Sequence, residues 1–164
     1  MKYLHCRIII ITFVLSALCV CFGCENSGSE EKEILKAVQS FFDAMSNKDA
    51  GLAESVLLAE GQFASIREDS SGRSIRFIPH SEFTENLKTQ EVDYLERMFD
   101  PDVEVHGNLA VVWTKYDFHI NGEFSHTGVD VFNLLKTEDG WKIAGTVYTV
   151  EYSESDKSPF GDIK

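Results

Sequence analysis

Beyond position 24 the chain has no cysteine: Cys6, Cys19, Cys21 and Cys24 are all four. A domain built from the residues that follow has no disulfide and no cysteine-ligated zinc site, and must be held by packing. Positive charge is also scarce, with 15 Lys and Arg against 27 Asp and Glu and a formal net charge of −12. That balance argues against nucleic acids and anionic lipid surfaces as partners, because both reward Lys and Arg. No apolar run reaches the ~20 residues that cross a hydrocarbon core as a helix; the stretch from Ile8 to Phe22 has 15. A Gly-rich phosphate loop, a nucleophile elbow, a His-Glu-x-x-His pattern and internal repeats are all missing. No metal, cofactor or nucleic acid is therefore expected.

What is present begins at the N-terminus. Lys2 and Arg7 precede the apolar run, and Gly23 is the small residue a peptidase needs before Cys24. The segment Cys21-Phe22-Gly23-Cys24 resembles the lipobox of bacterial lipoproteins, with Cys21 where Leu is usual. Residues 1–23 are read as a signal peptide, Cys24 as the lipidated residue and 24–29 as a polar tether. The mature chain then keeps 141 residues, enough for one domain, and its net charge becomes −14. This places it in the cell envelope, exported and held by a lipid anchor. Glu25 rather than Asp after Cys24 favours the outer membrane, facing the periplasm.

From Glu30, Ile34, Leu35, Val38, Phe41, Phe42 and Met45 recur at the helical period, predicting an amphipathic helix to Asn47 with Ser27 or Ser29 as its cap. A shorter helix is expected from Asp49. Strands at 63–67 and 74–78 flank a turn, Pro79 ends that hairpin, and Ser81 can cap a third helix. Tyr94 to Phe99 is ambiguous between helix and strand and is read as strand. Strands then follow at 103–106, 109–120, 123–136 and 141–152, punctuated by His106-Gly107-Asn108, Asn121-Gly122 and Asp139-Gly140. The composition from Ser153 to Lys164 reads as a flexible tail. The domain is thus 30–152 and its class α+β, three helices on a strongly curved, mostly antiparallel sheet.

A two-residue turn at Asn121-Gly122 pairs Asp117 with His126, Trp113 with Asp130 and Val111 with Phe132. The same turn at Asp139-Gly140 sets Thr149 beside Asp130. One face then carries Trp113, Asp117, His126, Asp130, Phe132 and Thr149, and the other carries Tyr116, Phe118, Val129, Val131 and Tyr148. Both faces are too apolar for water, so one is expected to take the helices and the other a second subunit.

The element order resembles the cone-shaped nuclear transport factor 2 fold of the ketosteroid isomerases and SnoaL-like polyketide cyclases. The first helix from Ala37 to its acidic turn at Asp49, and Val129-Asp130-Val131-Phe132 ahead of Asp139-Gly140-Trp141-Lys142-Ile143, are similar to that superfamily's motifs. Trp113, Ser125-His126-Thr127-Gly128 and Gly140-Trp141-Lys142-Ile143 look like a secreted bacterial lipoprotein branch of the fold. The resemblance puts Asp130 where the isomerases keep a protonated aspartic acid, and so makes the Trp113 face the cone interior. It also puts Phe41 at their oxyanion-hole tyrosine and Ile66 at about their general base, so steroid isomerisation is not expected.

Three functions remain open. The leading one is a small apolar or aromatic ligand in the cone, bound without catalysis by Trp113, His126, Asp130, Phe132, Thr149 and Phe41. The second is a lyase, isomerase or cyclase with His126 or Asp117 as base and Asp130 as a further catalytic candidate. The third is a structural partner of another envelope protein, with the cone plugged by side chains. Metal binding by His119, His126 and a carboxylate is disfavoured, because strand ends supply such triples by chance. A homodimer is expected through the Tyr116 and Tyr148 face.

Overall fold

A computed structural model describes residues 24–70, 72–153 and 157–163, with side chains from residue 28 onward. Residues 1–23, expected to be a signal peptide, and the Cys24 thiol lie outside what is described. Three helices, α1 (Cys24–Asn47), α2 (Ala50–Val56) and α3 (His80–Leu87), pack on six strands: β1 (Leu57–Asp69), β2 (Gly72–Pro79), β3 (Tyr94–His106), β4 (Leu109–Ile120), β5 (Glu123–Thr137) and β6 (Gly140–Val150). The sheet order is β2-β1-β6-β5-β4-β3. Only the β1–β6 pair is parallel; the other four pairings are antiparallel. Among the described residues no helix is long and apolar enough to cross a membrane.

Helix α1 forms where the periodicity puts it. Ile34, Val38, Phe42 and Met45 are buried against the sheet, so one face of the helix gains the hydrophobic stabilisation while Lys36 and Gln39 stay outside. The helix starts earlier than expected, at Cys24, so residues 24–29 are helical. Asp49 caps α2, its Oδ1 accepting from Leu52 N at 2.9 Å. Pro79 occupies the cap position of α3 in place of Ser81. Tyr94 to His106 is one strand, interrupted between Phe99 and Asp102 where Asp100 takes a positive φ of 51° before Pro101.

The register differs from the expected one at two bulges. Asn121 and Gly122 have φ of 53° and 82°, as a type I′ turn requires, and Ile120 pairs with Glu123. Ser125 is then left over, so His126 faces Phe118 instead of Asp117, and Asp130 faces Thr114 instead of Trp113. The next hairpin turns at Glu138-Asp139, one residue earlier than expected, and a second irregularity at Ala144 sets Tyr148 rather than Thr149 opposite Asp130. A one-residue slip sends every later side chain to the other face. The concave face therefore carries Val112, Thr114, Tyr116 and Phe118 with His126, Asp130, Phe132 and Tyr148. Trp113, Asp117, Val129 and Val131 are convex, so the face assigned to a second subunit is the cone interior.

Residues 157–163, read as part of a flexible tail, lie on the convex side. Phe160 stacks on Phe99 with ring centroids 4.1 Å apart, and Arg97 donates to the carbonyls of Gly161 and Asp162 at 2.8 and 3.1 Å.

Candidate functional site

Between α1, α3 and the concave face lies a cavity of about 590 Å³. One wall is aromatic: Phe41 of α1, Phe83 of α3 and Phe63 of β1 form a cluster with centroid separations of 5.1 to 5.5 Å. Edge-to-face and offset rings of this kind hold one another in place and present a fixed apolar wall. The sheet side brings Tyr116, Phe118, Phe132 and Tyr148, and with them the polar groups that make the cavity more than a core defect.

Asp130 is 2% exposed, and its Oδ2 has no hydrogen-bond partner among the described residues. Glu96, on β3, lines the same cavity and lies close enough for each carboxyl to shift the other's titration. Burial pushes Asp130 up to about 7, with Glu96 acting the other way. Burial raises Glu96 well above the ordinary carboxyl range, and the neighbouring Asp130 adds to it. Two carboxyls facing one another away from water resist ionising together, so the pair holds a proton more readily than either acid would in solvent.

Gly128 makes room beside this pair. A Cβ there would lie 2.2 Å from the Thr149 carbonyl oxygen and 2.7 Å from Tyr116 Cε1. Without it, the Tyr116 ring crosses β5 and donates its hydroxyl to Thr149 O at 2.7 Å. Burial and the nearby carboxylates keep that phenol protonated. His126 also faces the cavity, stacked on Phe118 at 5.0 Å and with Nδ1 3.0 Å from Ser125 Oγ. Burial lowers it to about 4, with the charge of Arg67 adding to the shift, so the imidazole is neutral at physiological pH.

Of the residues singled out from the sequence, Phe41, His126, Asp130 and Phe132 line the cavity. Trp113 does not: it is convex and 40% exposed, because the Ser125 bulge reverses its side. Thr149 is also outside, its Oγ1 accepting from Val129 N at 3.0 Å. The expected Asp117–His126 pair is not formed. Asp117 is fully buried on the convex face, where Arg97 Nε and Nη2 bind its two oxygens at 3.0 and 2.5 Å and Ser158 Oγ donates at 2.5 Å. His119 stays on that side, 3.7 Å from Asp117, so His119 and His126 cannot share a metal. Glu96, Tyr116 and Tyr148 were not foreseen. The available signal for Glu96 was its alternation with Tyr94 and Met98, which sets a charge in the middle of an apolar strand face.

The family described as "Putative lumazine-binding" matches residues 29–149, most of the chain. The chain belongs to this family. Its fold is similar to that of solved nuclear transport factor 2-like proteins. It is similar to a superfamily protein of Salmonella enterica serovar Typhimurium at 18% identity and TM-score 0.60, covering 79% of this chain and 96% of that one. An NTF2-like protein of Cytophaga hutchinsonii is similar at 14% identity and TM-score 0.62, covering 74% and 98%. A protein of Nostoc punctiforme with a cystatin-like fold is similar at 9% identity and TM-score 0.59, covering 75% and 92%. Identities this low carry the fold alone. No curated protein matches the sequence significantly.

Proposed function

We propose that this protein is a lipid-anchored cell-envelope module whose cone binds a small planar aromatic heterocycle of the lumazine type without transforming it. The observation that carries the reading is the Glu96–Asp130 pair at the floor of an aromatic cavity, with one buried Asp130 oxygen left without a partner. A lumazine edge alternates N–H and C=O groups. Asp130 offers the oxygen to which no described residue donates as an acceptor for a ring N–H, and the ring faces meet the Phe41, Phe63 and Phe83 wall. The cavity volume falls within the range of ordinary ligand sites, which argues against a cone plugged by its own side chains. Titrating the purified protein with lumazine and following its fluorescence tests this. Saturable binding that Asp130→Leu abolishes, with the fold retained, is expected; no binding to a folded parent overturns the reading.

His126 supports a second reading, an isomerase, lyase or cyclase, because a neutral imidazole facing the cavity is competent as a base. Asp117 has no part in it, since it faces away from the cavity. The envelope location rests on the lipobox-like segment, and Cys24→Ser is expected to release the protein from the membrane fraction or leave an uncleaved precursor. The dimer belongs to the convex side. There Phe77, Ala64, Val147, Val131 and Trp113 lie in register across five strands, with Phe77 60% and Val147 53% exposed. Val147→Arg is expected to convert a dimer to a monomer in light scattering; a parent that is already monomeric overturns the pairing.

A further inference from the structure

The cavity has a second polar end. Along one row of the concave face Arg76 pairs with Ser65, Ser65 with Tyr148 and Tyr148 with Asp130. Three strand spacings separate the first from the last, about 14 Å if the sheet were flat and less on a curved one. Arg67 projects on the same face two residues along β1, and both arginines line the cavity with Ser65. Their charge is felt inside it: Arg67 contributes to the shift of His126, and Arg76 acts on the Tyr148 phenol.

These two cations are also set apart from the others on the hairpin. Arg73 is taken by Glu68 at 2.8 Å, whereas no ion pair engages Arg67 or Arg76 among the described residues. Arg67 instead lies over the Tyr152 ring at 5.3 Å. In a chain with 27 acidic and 15 basic residues, two guanidinium groups without carboxylate partners at one end of a cavity mark a place for negative charge. The opposite end does not cancel them, because the Glu96–Asp130 pair retains a proton there.

We propose that the ligand is two-ended: a planar hydrogen-bonding ring at Glu96 and Asp130, and an anionic arm, a phosphate monoester or a carboxylate, at Arg67 and Arg76. This deepens the heterocycle-binding reading and rests on it for the ring. The arm selects among ring ligands of similar shape, so that the acid pair reads the ring edge and the arginine pair reads what the ring carries.

Matched neutral and anionic probes test it on the purified parent and on the Arg67→Gln/Arg76→Gln double variant, whose substitutions are at exposed positions. The pairs are lumazine and lumazine 6-carboxylate, riboflavin and riboflavin 5′-phosphate, and, as a ring unrelated to pteridines, N-phenyl-1-naphthylamine and 8-anilino-1-naphthalenesulfonate. The anionic member of at least one pair is expected to bind the parent more tightly and to lose about tenfold in the double variant, with the neutral member unchanged. The carboxylate or the phosphate pair showing the larger loss identifies the arm. Equal binding of neutral and anionic members, or an equal loss of both, overturns the arm while leaving the ring reading standing. Discrimination by the naphthyl pair alone, with no pteridine or flavin bound, supports the arm and overturns the lumazine-type ring. No binding of any probe overturns both.

Discussion

Asp117 and Asp130 are both buried acids on adjacent strands of one sheet, and their surroundings are opposite. Asp117, on the convex side, has each oxygen bound by Arg97 and receives a further hydrogen bond from Ser158. Asp130, on the concave side, has another carboxyl for company and an oxygen with nothing to bind. A buried charge is tolerated when its lone pairs are occupied and costs heavily when they are not. The first aspartate is therefore a fastening, tying β3, β4 and residues 157–163 together. The second keeps a buried oxygen to which no described residue donates.

The largest effect expected from this contrast is at the fastening. Asp117→Asn leaves the Arg97 guanidinium without its counter-charge and weakens the anchor of the C-terminal segment. A loss of about 3 kcal/mol is expected, and a fall in melting temperature of about 10 °C follows for a domain of this size. Thermal denaturation checks it; an unchanged melting temperature would remove the distinction between the two acids.

At Asp130 the sign reverses. Its folded pKa, about 7, stands above the unfolded value of 3.8, so the protonated form is the one folding favours. The stability this contributes is fully present below pH 4 and is lost as pH rises through 7. Asp130→Asn removes the ionisation and keeps the shape, at the residual cost of burying an amide. The variant is expected to match the parent near pH 4 and to exceed it by about 2 kcal/mol at pH 8. Urea titrations at the two pH values measure the difference. A gap that does not widen with pH would mean that Asp130 is as well satisfied as Asp117.

Asp130→Leu sharpens the same comparison through ligand binding. The apolar side chain avoids desolvating a carboxyl, so apo stability is expected to be equal or higher, while the rise in melting temperature with lumazine disappears. If this variant fails to fold, Asp130 is a structural partner after all.

Why the two acids could not be told apart from the sequence lies in the bulges. Asn121-Gly122 announces its turn plainly, because both residues must adopt positive φ, and the turn forms as read. Nothing in Ser125 or Ala144 marks an unpaired residue: a bulge is a property of two strands and of the twist they need, and no side chain encodes it. One such residue, Ser125, separates Asp117 from His126 and turns Trp113 to the convex side. The helix stripe from Ile34 to Met45, the order of the elements and the cavity positions of Asp130, Phe132 and Phe41 survived, since each depends on periodicity within a single element or on the parity of β5 alone. Glu96 was hidden for a different reason. Its strand reads weakly, and its importance comes from a partner 34 positions away that local pattern cannot supply.

The smallest expected effect is at His126, which lies in the same cavity as Asp130 but titrates in the opposite sense. Burial depresses its folded pKa to about 4, below the unfolded 6.5, so its contribution is present above pH 6.5 and is lost as pH falls through 4. His126→Gln is therefore expected to be close to neutral at pH 7 and to gain about 1 kcal/mol on the parent near pH 4.5, discounted because the ring is partly solvated. Asp130→Asn gains at high pH and His126→Gln at low pH, so the two difference curves slope in opposite directions across one cavity. Parallel slopes would show that the acid pair and the imidazole titrate as a single ion pair. The imidazole would then carry charge at neutral pH and could not serve as the base of an enzymatic reading.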